Sequence, residues 1–140
     1  MKPKSIAARV SLSLCLLAAA CGGADAGAKL NLTNPVMITD NDRKLAKVEM
    51  MTYCATCHGL TGKGDGLAGK ALDPKPRNWT DPEWQKSVDD DHIFKVISKG
   101  GASVGLSPVM IASPTYKDKP AVVAALVEIV RSFGAKNTGK

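Results

Sequence analysis

The segment Cys54-Ala55-Thr56-Cys57-His58 places two thiols three positions apart, with an imidazole directly after the second. Ahead of it, Leu45, Val48 and Met51 keep helical spacing, so a helix is predicted from Asn41 or Asp42 to Thr56. Two thiols with this spacing at a helix end point to the same side, and the imidazole follows beneath them. The segment therefore presents three reactive groups to one neighbouring molecule.

This pattern is typical of covalent haem attachment. The two thiols can add to the two vinyl groups on one haem edge, and His58 can then bind the iron as the proximal ligand. A redox dithiol would need a preceding strand, which the pattern does not predict. A zinc site would need further ligands, and His92 is the only other histidine. The sequence therefore predicts one covalently bound haem c, held by Cys54, Cys57 and His58.

The first residues predict export. A basic stretch, Met1–Arg9, precedes the apolar stretch Val10–Ala20, which is too short to span a bilayer, so residues 1–20 are predicted to be a secretory signal. Leu17-Ala18-Ala19-Ala20-Cys21-Gly22 is similar to the lipobox of bacterial lipoproteins and favours lipidation of Cys21. The alternative is cleavage after Ala24-Asp25-Ala26, which would make residues 1–26 the signal and remove Cys21.

Composition narrows the class of partner. The formal net charge is +6, and Lys2, Lys4 and Arg9 precede Cys21, so the remainder carries +3. Its basic residues are scattered and not interleaved with aromatic side chains, which argues against nucleic-acid binding. Aromatic residues make up 4% of the chain, and a planar apolar cofactor would supply the core volume that they leave out.

The rest of the chain predicts a tether and one helical domain. Residues 21–40 are small, polar and without periodicity, so they are predicted to form a flexible tether ahead of a domain over residues 41–136. A second helix is predicted from Asp89–Asp91 to Gly100-Gly101, and a third from Pro120 to the residue before Gly134. Residues 59–81 are rich in Gly and Pro and predict no regular element. No segment has sustained strand alternation, so the fold class is all-α.

These features together resemble the class I cytochrome c family over residues 42–134. The matching stretches are Cys54-x-x-Cys57-His58-Gly59, Gly62-Lys63-Gly64-Asp65-Gly66, Leu72-x-Pro74-x-Pro76-Arg77-Asn78-Trp79, Asp91-x-Ile93-x-x-Val96-Ile97-x-x-Gly100, Met110 and Val130-Arg131-Ser132-Phe133. The resemblance implies three to four helices wrapped around one haem, with the first and last helices crossing. Members commonly carry aromatic residues where this chain has Met50 and Ile129.

The resemblance also implies a second iron ligand, a methionine from the loop after the middle helix. Met110 matches it, 52 residues beyond His58, although Ile111 follows where the family commonly has proline. A thioether ligand would stabilise ferrous iron and raise the reduction potential. His92 is the other candidate, but its position among three Asp residues at a helix start is more typical of a solvated histidine.

Further contacts to the cofactor are implied by the same resemblance. In the family a proline carbonyl accepts the second N–H of the proximal histidine, and Pro74 and Pro76 are both candidates. Trp79 is a candidate donor to a haem propionate, and Arg77 a candidate ion-pair partner of one. A core role for Trp79 and a solvated role for Arg77 remain equally open.

With both axial positions filled, the resemblance implies a periplasmic electron carrier and no enzyme. Its partners would be a redox donor and acceptor, and the protein itself a monomer or a complex subunit held at the membrane by a lipid. The lysines expected around the haem edge, to steer an acidic partner, are Lys63, Lys70, Lys75 and Lys99. The alternatives are a tightly bound subunit of a respiratory or dehydrogenase complex, and an open-site haem sensor or peroxidase.

Overall fold

The computed structural model describes residues 36–135, and these form helices, turns and loops without a strand. The expectation of an all-α fold is therefore confirmed. The predicted signal, Cys21, both cleavage positions and most of the tether lie outside the described residues. Within residues 36–135, no helix is long and apolar enough to cross a membrane.

The described chain contains five α-helical segments. They are α1 (Asp40–Glu49), α2 (Ala55–His58), α3 (Pro82–Ser87), α4 (Asp90–Lys99) and α5 (Pro120–Ala135). A π-helical turn, Met50–Cys54, joins α1 to α2, so the backbone is helical without a break from residue 40 to the attachment histidine. Short 3₁₀ segments lie at Ala68–Ala71 and Gly101–Val104. The three predicted helices are present, although α5 continues through Gly134 to Ala135, whereas α3, the π turn and both 3₁₀ segments were not predicted.

Side chains at the helix starts explain where the helices begin. Thr39 and Asp42 form a capping box at α1, in which Oγ1 of Thr39 accepts from the backbone N–H of Asp42 and Oδ2 of Asp42 accepts from that of Thr39. Of the three Asp residues at the start of α4, Asp89 is the N-cap and accepts from the N–H of His92 at 2.8 Å. Contacts also extend into the segment assigned as tether, since Ile38 packs against the core.

The core lies where α1 crosses α5, with α4 packed on α5 as well. Ala46 of α1 and Ala125 of α5 are fully buried in this core. At the two positions that lack the family's aromatic residues, Met50 is buried and Ile129 is partly buried against the core. Both positions therefore contribute non-aromatic side chains to the core.

Arg131 of α5 fastens the remaining helices. Its guanidinium donates to the carbonyl oxygens of Gln85 and Val88, each at 2.7 Å, and to Oε1 of Gln85 and Oδ1 of Asp90 at 2.9 and 2.7 Å. These groups belong to α3, the link after it and the start of α4. One side chain therefore holds α3 and α4 against α5, and both helices form walls of the site described next.

Candidate haem site

A cavity of about 440 Å³ opens beside the attachment motif. The sequence-predicted residues that line it are Cys57, His58, Pro74, Pro76, Trp79 and Met110. Apolar side chains of α4 and of the loop after it, among them Ile93, Val96 and Leu106, complete the wall. The volume lies within the roughly 300–1,000 Å³ range of small-molecule and cofactor sites, and the mostly apolar lining suits a porphyrin.

Cys54 is the predicted site residue that does not line this cavity. Its side chain is partly buried against the hydrophobic core, and neither it nor Cys57 forms a disulfide. Burial, and then the negative charge of Glu49, raises the pKa of the Cys54 thiol to about 11. Before haem attachment, this sulfur is therefore a protonated thiol at neutral pH.

The imidazole of His58 is buried and held in one tautomer. Its Nδ1 lies 3.0 Å from the carbonyl oxygen of Arg77, and because a carbonyl only accepts, Nδ1 carries the proton. Burial lowers the pKa of His58, and the bond to the Arg77 carbonyl opposes that shift. The ring is therefore neutral at pH 7, with the lone pair on Nε2 free for iron.

This bond corrects the expectation that a proline carbonyl orients His58. The acceptor is the carbonyl of Arg77, directly after Pro76 in the chain. Pro74 and Pro76 instead line the cavity. A backbone carbonyl leaves no mark in the sequence, so the residue type could not identify it.

The indole ring of Trp79 stacks on the imidazole ring of His58. Its ring lies parallel to the His58 ring, with centroids 4.0 Å apart and an interplanar angle of 12°, and Phe133 follows at 5.6 Å. The backbone of Trp79 is also fixed, since its N–H donates to Gly62 and its carbonyl accepts from Gln85, both at 2.7 Å. Trp79 therefore sets the plane of the imidazole, while its bond to a propionate stays a prediction.

Met110 lies in the turn that follows α4 and the second 3₁₀ segment. It is half-buried, and its carbonyl accepts from the N–H of Gly101 at 2.7 Å. Its neighbours Val109 and Ile111 are 58% and 65% exposed. Met110 therefore lines the cavity, while the apolar side chains on either side of it are exposed to solvent.

Charged and polar groups around the cavity differ in part from expectation. His92, expected to be a solvated histidine, is half-buried and lines the cavity. Of the four lysines expected around the haem edge, Lys75 lines the cavity, while the other three lie outside its lining. Arg77 also lines the cavity, and its guanidinium carbon lies 5.9 Å from the centre of the Trp84 ring.

The donor groups fit a haem. Cys54 and Cys57 are unpaired thiols with the attachment spacing, and His58 presents a neutral ring nitrogen to the cavity that Met110 also lines. Among residues 36–135, no group of three or more His, Cys, Asp or Glu side chains is arranged to hold a metal ion, so the zinc interpretation gains no support.

Comparison with known proteins agrees with this geometry. The model of the family described as Cytochrome c matches residues 43–132 of the chain. Comparison with curated proteins finds no significant match. The matched region runs from α1 to α5 and contains the attachment motif, the buried histidine and Met110. Because it covers more than half of the sequence, the chain belongs to the cytochrome c family.

Proposed function

We propose that the protein is an exported, single-haem electron carrier that shuttles one electron between two redox partners on the periplasmic side of a membrane. Membership of the cytochrome c family implies haem-based electron transfer in general. The number of haems is inferred from the sequence, since Cys54–His58 is its single C-x-x-C-H motif. Partners and location are part of the proposal.

The observation that carries the proposal is that His58 and Met110 line one cavity. A haem bound here would supply an iron that gains and loses one electron. If His58 held the iron through its imidazole nitrogen and Met110 through its thioether sulfur, no position on the iron would be left for a substrate. Its chemistry is then restricted to electron transfer.

The chain's own part in this reaction is to keep the site unchanged between oxidation states. The Nδ1–H of His58 donates to Arg77, and the Trp79 ring holds the imidazole plane. Apolar side chains, among them Ile93 and Ile97, form much of the cavity wall. Fixed ligands and a mostly apolar lining would keep the reorganisation on electron transfer small.

The proposal is tested on holoprotein produced in a periplasm that attaches haem c. We expect a low-spin spectrum in both oxidation states, the weak near-infrared methionine–iron band in the oxidised form, and no spectral change when carbon monoxide is added to the reduced form. A high-spin spectrum, or ready binding of carbon monoxide, would contradict the carrier and favour the open-site sensor or peroxidase.

Export and anchoring are proposed from the first residues, with lipidation at Cys21. Intact mass of the membrane-fraction protein would show a diacylated N-terminus at Cys21, and Cys21→Ser would move the protein to the soluble periplasmic fraction. A mature protein that begins after Ala26 contradicts the lipid anchor and leaves export intact.

A second candidate is a tightly bound subunit of a respiratory or dehydrogenase complex. The observation that favours it is a set of exposed apolar side chains where α1 runs into the π turn: Val48, Met51 and Tyr53 are 57%, 67% and 52% exposed. Solubilised membranes washed with high salt would decide, because a subunit co-purifies with its partners and a free carrier elutes alone.

A further inference from the structure

A carboxyl group lies in the core beside the haem site, where the proposed function gives it no role. Glu49 ends α1 and is 2% exposed. Burying a carboxyl group without a partner costs several kcal/mol, so its hydrogen bond has to be accounted for. The hydroxyl of Ser113 donates to Oε1 of Glu49 at 2.5 Å, the short end of the range for such bonds.

Met110 lies in the loop of residues 105–119, called here the Met110 loop, and Ser113 bonds this loop to the rest of the fold. Ser113 is 7% exposed and lies three residues after Met110. Its backbone N–H donates to the carbonyl of Ile97 in α4 at 2.7 Å, and its Oγ accepts from the N–H of Tyr116 at 3.2 Å. The bond to Glu49 adds α1 to these anchors.

The segment from Met110 to Ser113 is therefore held at both ends. At one end the Met110 carbonyl accepts from Gly101 at 2.7 Å, and at the other the Ser113 side chain meets Glu49. Glu49 belongs to the same unbroken helical run as His58, nine residues before it. The Glu49–Ser113 bond thus connects the helical run of one proposed iron ligand to the loop of the other.

We infer that Glu49 and Ser113 are positioning residues that hold Met110 in its ligand position. The inference rests on the proposed role of Met110. The Glu49–Ser113 hydrogen bond opposes movement of the Met110 loop away from the cavity. It therefore also opposes replacement of the Met110 thioether by an external ligand. A purely structural role predicts lower global stability without a specific change at the distal site.

The experiment measures the affinity of the oxidised holoprotein for imidazole, with loss of the near-infrared methionine–iron band as the signal of binding. The free energy of unfolding is measured for the same variants. In Ser113→Ala the Met110 loop loses its bond to α1, and we expect imidazole affinity to rise about fivefold to tenfold. Glu49→Leu removes the acceptor of the same bond, so imidazole affinity should rise similarly. The double variant should resemble either single variant, because both remove one bond.

The matched control is Ser98→Ala. The Ser98 hydroxyl donates within α4, to the carbonyls of Phe94 at 2.8 Å and Lys95 at 3.4 Å, so its loss should leave imidazole affinity unchanged. Ser113→Thr, which keeps a hydroxyl, should restore most of the wild-type affinity. Should Ser113→Ala fail to accumulate with haem, Glu49→Gln decides, because its weaker neutral acceptor should still raise affinity about twofold to threefold.

Two results would overturn the inference in distinguishable ways. In the first, the wild type shows the methionine–iron band, but the two single variants bind imidazole as the wild type does, or their effects add in the double variant. This result contradicts the positioning role and leaves the carrier intact. A wild type without the band contradicts ligation by Met110, and with it both the proposed function and this inference.

Discussion

Gly64 lies where the loop after the attachment motif turns back beneath His58. Its φ is +77°, its N–H donates to the His58 carbonyl at 2.8 Å, and a Cβ at this position would lie 2.3 Å from the carbonyl oxygen of Pro76. Only glycine fits both the left-handed backbone and the close approach. The backbone of this loop therefore requires a glycine at position 64.

Gly64→Ala should lower the free energy of unfolding of the holoprotein by roughly 2–4 kcal/mol, the sum of left-handed strain and the clash with Pro76. Gly105→Ala is the control, because Gly105 also has a φ of +77° but no atom lies within 4 Å of the place its Cβ would occupy. It should cost about 1 kcal/mol from strain alone. Guanidinium unfolding followed by circular dichroism measures both, and equal losses would contradict the close-approach argument.

Met110→Ala tests the distal ligand directly. We expect the oxidised variant to lose the near-infrared methionine–iron band and the reduced variant to bind carbon monoxide, because the sixth position becomes open. Met51→Ala is the matched control, since Met51 is 67% exposed on the helical run before the motif and does not line the cavity. An unchanged band in Met110→Ala would assign the ligand elsewhere, with His92 the next residue to replace.

At the scale of elements, helical periodicity predicts α1, α4 and α5 because each buries one continuous face. The π turn Met50–Cys54 has no such signal, since its residues also satisfy an α-helical pattern. The helix α3 is six residues long, has no buried residue and begins with the Asp81 cap and Pro82. Segments of this kind form because tertiary contacts hold them, and local sequence does not report those contacts.

The Arg131 side chain holds α3 and α4 to α5, so its removal should destabilise the packing of all three helices. Arg131→Ala should reduce the free energy of unfolding by about 2 kcal/mol, because four hydrogen bonds from a mostly buried guanidinium disappear. Arg43→Ala is the control: its ion pair with Glu128 is half exposed and should contribute under about 1 kcal/mol. Equal losses in chemical unfolding would contradict the fastening role.

At the scale of the whole molecule, the haem-attachment residues are predictable because they form a motif of five consecutive residues. Met110 required resemblance to a family. The contacts that hold the ligands were out of reach of sequence reasoning: His58 meets a backbone carbonyl 19 residues away, and Glu49 meets a hydroxyl 64 residues away. Only the folded chain brings such pairs together.

The distribution of charge around the cavity gives the last prediction. Lys75 is the lysine among the lining residues, so it should attract anionic oxidants to the haem edge. The rate of oxidation of the reduced holoprotein by hexacyanoferrate(III) should fall about twofold to threefold between roughly 10 and 200 mM salt, as screening shortens the reach of this charge. Lys75→Gln should lower the low-salt rate, whereas Lys47→Gln, an exposed lysine of α1 outside the lining, should not. An oxidation rate that does not change with salt would contradict charge steering of partners to this site.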